Sequence, residues 1–309
     1  MRDLASCFSE YSVQISETSC SSHSPNSCIS PNLTPSVQNA VTSLYKATLS
    51  NQKQIPVTLT WSRSSVSQSL TIALGDDQSA AVKLTTNSRI FRKLKGAKAL
   101  EFHGSAVEIF YDLSAARYES GAEPIDGYYV FIAVDSELGP ILGGGSAPEA
   151  YLRRLKSGAR IAKFALVSRQ ERFSGNAVYS TKARFRDGGA AHDVVIQCGG
   201  GGGEGGEGLK QHPVLSVCVD RKTVIRVKRL QWNFRGNQTI FLDGLLVDLM
   251  WDVYDWFCNP GSGSGPGCAV FMFRTRSGMD SRLWLEEKMM RKDEDKHEFS
   301  FMIYACKNL

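Results

Sequence analysis

No run of the chain approaches the roughly 18 uninterrupted apolar residues that a membrane-spanning helix needs. Residues 1–36 hold no apolar core of the kind a secretory signal requires. Nor is this start an organelle-targeting peptide, because Arg2 is its only Lys or Arg and it carries Asp3, Glu10 and Glu17. A cytoplasmic or nuclear protein without a transmembrane segment is the expectation. The signatures of metal and catalytic chemistry are missing too. There is no Cys-x-x-Cys pair, so no zinc or other metal site is expected. His103, His192, His212 and His297 have no paired nucleophile, and no Gly-x-Ser-x-Gly elbow is present. Gly143–Ser146, with Arg153 and Arg154 nearby, precedes a helical pattern but lacks the lysine of a phosphate-binding loop. The chain is therefore read as no enzyme, with no catalytic residues and no cofactor.

What is present is enough hydrophobic sequence, 42% of 309 residues, for one large or two modest cores without disulfide support. Of the 8 cysteines, Cys258 and Cys268 are close enough to be bridged across a loop, but free thiols behaving as small apolar side chains are expected. The first 36 residues are crowded with serine, interrupted by Pro25, Pro31 and Pro35, and read as a disordered arm too poor in apolar groups to offset ordering entropy.

Beyond the arm the hydrophobic period is two. Val57, Leu59 and Trp61 alternate with Thr58, Thr60 and Ser62, and Val107, Ile109 and Tyr111 alternate with Glu108, Phe110 and Asp112. Similar patterns predict strands near 70–74, 177–186, 193–198, 214–219, 223–228, 230–235, 238–242, 245–252, 269–274 and 299–306. Asp243-Gly244 reads as a two-residue hairpin turn, since both central positions need positive φ. Tyr128–Val134 is apolar on both faces, which predicts a central strand covered on both sides. Ser146-Ala147-Pro148-Glu149 has the spacing of a capping box, and Tyr151, Leu152 and Leu155 form a stripe, so a helix is expected at 147–157.

A shift of 140 residues aligns the two halves. Lys95-Gly96 falls on Arg235-Gly236, Gly104 on Gly244, Val107-Glu108-Ile109 on Val247-Asp248-Leu249, and Tyr111-Asp112-Leu113 on Trp251-Asp252-Val253. Shared alternation alone would not align the glycines and acidic residues as well. The expected fold is all-β: an antiparallel sandwich or barrel-like body of two pseudo-symmetric repeats with one short connecting helix. Its segments are an arm at 1–36, a first repeat at 37–135, a helix-bearing connector at 136–174 and a second repeat at 175–309. The glycine runs at 199–208 and 261–267 lie between strands, not before a helix N-terminus, and read as flexible connections. Asp112 and Asp252, each after an aromatic residue at a strand end, read as turn-forming aspartates.

Charge is uneven. Residues 1–150 carry 11 basic and 14 acidic side chains, residues 151–235 carry 17 and 6, and residues 236–309 carry 8 and 11, so the whole +5 excess lies in the middle. The candidate anion-binding set is Arg221, Lys222, Arg226, Lys228, Arg229 and Arg235. Parity flips at Lys228–Arg229, which predicts a turn or bulge there, with Arg229, Gln231, Asn233 and Arg235 exposed and Trp232 opposite them in the core. Arg89, Arg92, Lys93, Lys95 and Lys98 occupy comparable places in the first half. Basic residues without an exposed aromatic platform suit backbone phosphates or lipid headgroups better than stacked bases.

The segments 229–244, Phe110-Tyr-Asp-Leu-Ser114, 121–130 and Ala269-Val-Phe-Met-Phe-Arg-Thr-Arg276 together resemble the plant family that carries the domain of unknown function numbered 868. The likeness runs from Met1-Arg2-Asp3-Leu4 to Tyr304-Ala-Cys-Lys-Asn308. Tyr111 stands where that family leads one to expect Trp, and the glycine run at 199–208 is peculiar to this chain. The resemblance implies a land-plant protein without an assigned activity, so it transfers no functional residues. The expected role is a non-catalytic protein-interaction module with a protein partner. The alternatives are a carrier of a small apolar ligand with a cavity between the two repeats, and a peripheral binder of anionic lipid or nucleic acid through 221–235.

Overall fold

A computed structural model describes residues 13–15, 35–75, 81–85, 94–144, 147–175, 178–186, 189–200, 213–258, 267–276 and 299–307. The chain begins with β1 (Val13–Ile15), β2 (Val37–Thr48), β3 (Gln54–Arg63), β4 (Gln68–Leu74), β5 (Ala81–Thr85), β6 (Lys95–Phe102), β7 (Ser105–Asp112), β8 (Tyr129–Val134) and β9 (Glu137–Leu138). Helix α1 (Glu149–Lys156) is followed by β10 (Lys163–Ser174), β11 (Val178–Ala183), β12 (His192–Gly200), β13 (Pro213–Val219) and β14 (Lys222–Val227). The last elements are β15 (Arg235–Leu242), β16 (Leu245–Asp252), α2 (Tyr254–Cys258), β17 (Cys268–Thr275) and β18 (Ser300–Cys306).

Two compact units divide the chain, a first of residues 38–172 and a second of residues 1–37 with 173–309. The stretch 136–172, read from the sequence as connector, belongs to the first unit. That unit contains the strand orders β10-β2-β3-β4-β5 and β6-β7-β8-β9. Val57, Leu59, Trp61, Leu70 and Ile72 from one sheet meet Val107, Ile109, Val130 and Ile132 from the other in a single buried cluster. Period-two alternation produces this directly, because one face of each strand is apolar and must be covered. Val130 through Val134 are all buried, as expected for a central strand, and the second face of β8 is covered by α1, where the Tyr151 ring meets Phe131 edge-on at 5.2 Å.

The second unit contains the orders β15-β16-β17-β18 and β1-β14-β13-β12-β11. β1 lies inside the segment read as a disordered arm, and pairs antiparallel with β14, Val13 opposite Val227. The rest of that arm up to residue 34 lies outside the described residues, as do most of the two glycine runs. Asp243 and Gly244 both have positive φ, 51° and 76°, which forms the expected hairpin turn. Registers in the two units coincide across the 140-residue shift. Lys95 opposes Asp112 and Phe102 opposes Ser105, while Arg235 opposes Asp252 and Leu242 opposes Leu245. Each of these strand-end aspartates accepts the backbone N–H two residues on, from Ser114 at 3.1 Å and from Tyr254 at 3.0 Å, the geometry of a turn-forming aspartate.

Four expectations need correction. Of the strand expected at 230–235 only Arg235, the first residue of β15, is in a strand, because Arg229 adopts φ 56° and its carbonyl accepts the N–H groups of both Trp232, at 2.9 Å, and Asn233, at 3.1 Å. These bonds close a turn in place of a ladder. Helix α2 is a second helix where one was expected. Helix α1 starts at Pro148 without a side-chain cap, and Glu149, instead of reaching back, receives the Arg153 guanidinium one turn on at 2.7 Å; Ser146 lies outside the described residues. Finally, Cys268 is bonded to Cys306, not to Cys258 and not free. The two sit directly opposite each other on β17 and β18. Cys198 and Cys218 are buried thiols outside any disulfide, and burial pushes the Cys198 thiol up to about 12, out of the reactive range.

Candidate functional site

The six basic residues singled out from the sequence are all exposed, but they do not form one patch. Arg221 and Lys222 sit at the turn between β13 and β14, where Asp220 and Arg221 have positive φ of 48° and 66°. Lys228 and Arg229 lie at the opposite end of β14, about 20 Å away at the usual rise of a strand. Arg226 projects between them from the outward face. Arg235, at the start of β15, is held by Asp252 at 2.7 Å and lies over the Phe234 and Tyr254 rings, 5.6 Å from each. Arg89, Arg92 and Lys93 lie outside the described residues.

The turn at 228–234 places an aromatic group among these cations. Leu230 is fully buried, yet Trp232 is 64% exposed. The expectation of a core tryptophan fails because strand alternation stops at Val227, so Leu230 anchors the turn inward and Trp232 points out. The turn is firmly tied. The Asn233 amide donates to the Lys228 carbonyl at 2.9 Å, and the Trp251 indole donates to the Asn233 carbonyl at 3.0 Å. Beneath it, the Phe234 and Tyr254 rings pack with centroids 5.2 Å apart. Sequence reasoning missed the exposed tryptophan; the parity flip at Lys228–Arg229 was its one available sign.

A second polar cluster of this unit was not read from the sequence. His192, nearly buried on β12, has its Nδ1 at 2.6 Å from Asp220 and its Nε2 at 2.8 Å from Asp243. Those carboxylates come from two hairpin turns, so the imidazole ties both to β12. Both ring nitrogens are thus engaged by carboxylates. Among the described residues no group of His, Cys, Asp or Glu is arranged to hold a metal ion. Burial disfavours its cation, but hydrogen bonds and charge from Asp220 and Asp243 outweigh this and raise the His192 pKa above its ordinary value. Asp220 is held low: burial opposes its charge, and His192, the Asp193 N–H and Lys222 together prevail.

A raised histidine pKa contributes stability that is fully present below the unfolded value near 6.5 and is lost as pH rises through the folded value. The urea midpoint is therefore expected to fall between pH 6 and pH 8, and His192→Gln to flatten that slope. An equal slope in the variant would show that the clamp contributes nothing.

Among the described residues no helix is long and apolar enough to cross a membrane. Fold and site together define a mostly β protein of two antiparallel units whose distinctive surface feature is an aromatic turn bordered by basic residues. The chain belongs to the family described as plant protein of unknown function (DUF868), which matches residues 36–307. No curated protein matches it significantly. Among solved structures it is similar to kievitone hydratase from Nectria haematococca at 8% identity, covering 77% of this chain and 84% of that one. The TM-score of 0.23 is too low for this likeness to carry any inference.

Proposed function

We propose that the protein is a non-catalytic binding module built from two copies of one β unit, and that it docks through the 228–235 turn onto an anionic phospholipid surface. The matching registers at Lys95–Asp112 and Arg235–Asp252 support the duplication. The observation that carries the docking is Trp232, 64% exposed on a turn between Lys228–Arg229 and Arg235. Indole rings favour the headgroup level of a bilayer, where one edge is apolar and the other polar. Each nearby Lys or Arg adds about 1 kcal/mol of attraction to an anionic leaflet. The hydrogen bonds within the turn hold the ring outward beforehand, which lowers the ordering cost of docking. A single tryptophan at a turn is a poor platform for successive stacked bases, which favours lipid over single-stranded nucleic acid.

Sedimentation with vesicles tests this. Binding is expected to vesicles of phosphatidylcholine mixed with phosphatidylserine, not to phosphatidylcholine alone, and to weaken with added salt. Reversing Lys228 and Arg229 to Glu should reduce it by roughly tenfold or more, and Trp232→Ala should also weaken it. Equal binding to both vesicle types, insensitivity to these substitutions, or a preference for a single-stranded oligonucleotide would overturn the reading.

A further inference from the structure

The cross-strand registers of the first unit decide which way its edge side chains point. On β5, Leu84 opposes Leu70 and Val82 opposes Ile72, so these two face the core, while Lys83 opposes Thr71 and faces away. On β6, Gly96 opposes Tyr111, Lys98 opposes Ile109 and Leu100 opposes Val107. Tyr111, Ile109 and Val107 are all buried, so Lys98 stands on the core-facing side of its strand. β5 and β6 each end their strand order, and a cleft of about 910 Å³ opens between them, lined by Leu84, Tyr111, Leu113, Lys83, Lys95 and Lys98. Lys95 is already committed to Asp112 at 3.0 Å. Lys98 has no such partner among the described residues.

We infer that this cleft is a binding site for an aliphatic carboxylate, with Lys98 and the Tyr111 hydroxyl receiving the head group and Leu84 and Leu113 lining the chain. The volume lies toward the upper end of the roughly 300–1,000 Å³ typical of small-molecule sites. Gly96 leaves the phenol at the cleft wall; a Cβ there would stand 3.4 Å from the Tyr111 Oη. That hydroxyl has no hydrogen-bond partner among the described residues, and Tyr111 shares the core-facing side of the sheet with Lys98; a carboxylate taken by an ammonium and a phenol together is a charge-assisted arrangement.

The second unit provides an internal comparison. At the corresponding register Gln238 opposes Leu249 and Gly236 opposes Trp251, so Lys98 is replaced by an uncharged amide and Tyr111 by an indole. The indole N–H is used by the Asn233 carbonyl at 3.0 Å. The strand architecture thus does not itself require a cation and a phenol at these positions. An edge lysine can also serve only to discourage strand-to-strand aggregation. Lys83 and Lys95 also border the cleft but stand on the outward side of their strands and suit that role, whereas Lys98 stands on the core-facing side.

Calorimetric titration of the full chain with decanoate, decanol and decylamine tests the assignment, which is independent of the lipid-surface reading. Decanoate is expected to bind at least about tenfold more tightly than either uncharged or cationic analogue. Lys98→Met should bring decanoate to the level of decanol without altering decanol binding, and Lys98→Arg should keep most of the preference. Lys228→Glu with Arg229→Glu should leave decanoate binding unchanged. Equal binding of the three probes to the unmodified chain, no binding of any, an unaltered Lys98→Met variant, or displacement of decanoate by an extended acidic peptide that binds more tightly would overturn it. The three-probe comparison needs no variant, so it decides the matter even if Lys98→Met fails to fold.

Discussion

Replacing Arg169 with methionine is expected to lower the unfolding free energy by about 3–5 kcal/mol, the range for a buried ion pair that loses one partner. Glu171 on β10 has no solvent exposure. Its Oε1 accepts from Arg169 Nε at 2.8 Å and its Oε2 from the Gln38 amide at 2.7 Å. Arg169 also reaches Glu123 at 2.8 Å, and the Gln38 carbonyl oxygen accepts the Ala122 N–H at 3.1 Å. Burial disfavours the guanidinium, but the Glu123 and Glu171 carboxylates more than compensate and keep it charged. The network fixes the loop before β8 to strands β2 and β10. Removing the cation leaves a buried carboxylate without a counter-charge. Replacing the pair together, Arg169→Met with Glu171→Leu, should recover most of the loss, since the desolvation cost of both charges then disappears. Urea unfolding measures both variants, and a loss below about 1 kcal/mol in the single variant would mean the pair behaves as an exposed one.

Opening the Cys268–Cys306 bond is expected to cost about 4 kcal/mol. The bond closes a loop across a sequence separation of 38, and the estimate is the chain entropy released to the unfolded state. Urea unfolding with and without a thiol reductant, and of the variant with both cysteines changed to alanine, should give matching losses. Coincident midpoints for the oxidised and reduced protein would refute a stabilising role. The stability of the unit bearing Trp232 then depends on the redox potential of its surroundings.

Much of the strand content was legible because period two is a local property. The alternation at Val57–Trp61 and at Val107–Tyr111 reports which side of each strand must be covered, whatever covers it. Asp243-Gly244 was legible for a similarly local reason, the positive φ of its turn. At 230–234 the same rule misled. Leu230, Trp232 and Phe234 alternate as a strand would, but the positive φ at Arg229 and the hydrogen bonds to its carbonyl hold a turn. The candidate basic set was legible as composition only; its division between the two ends of β14 depends on where that strand starts and stops.

What the sequence by itself determined was the β class, most strand positions and the two-sided burial of β8, all consequences of side-chain period and turn chemistry along the chain. Only the tertiary structure decided which residues distant in sequence stand opposite one another. Cys268 meets Cys306, His192 meets Asp220 and Asp243, and Lys98 shares one face with Tyr111. The physical reason is that strand pairing is non-local. A shift of register by one residue sends every side chain of a strand to its other face, and that choice is made by the packing of whole sheets.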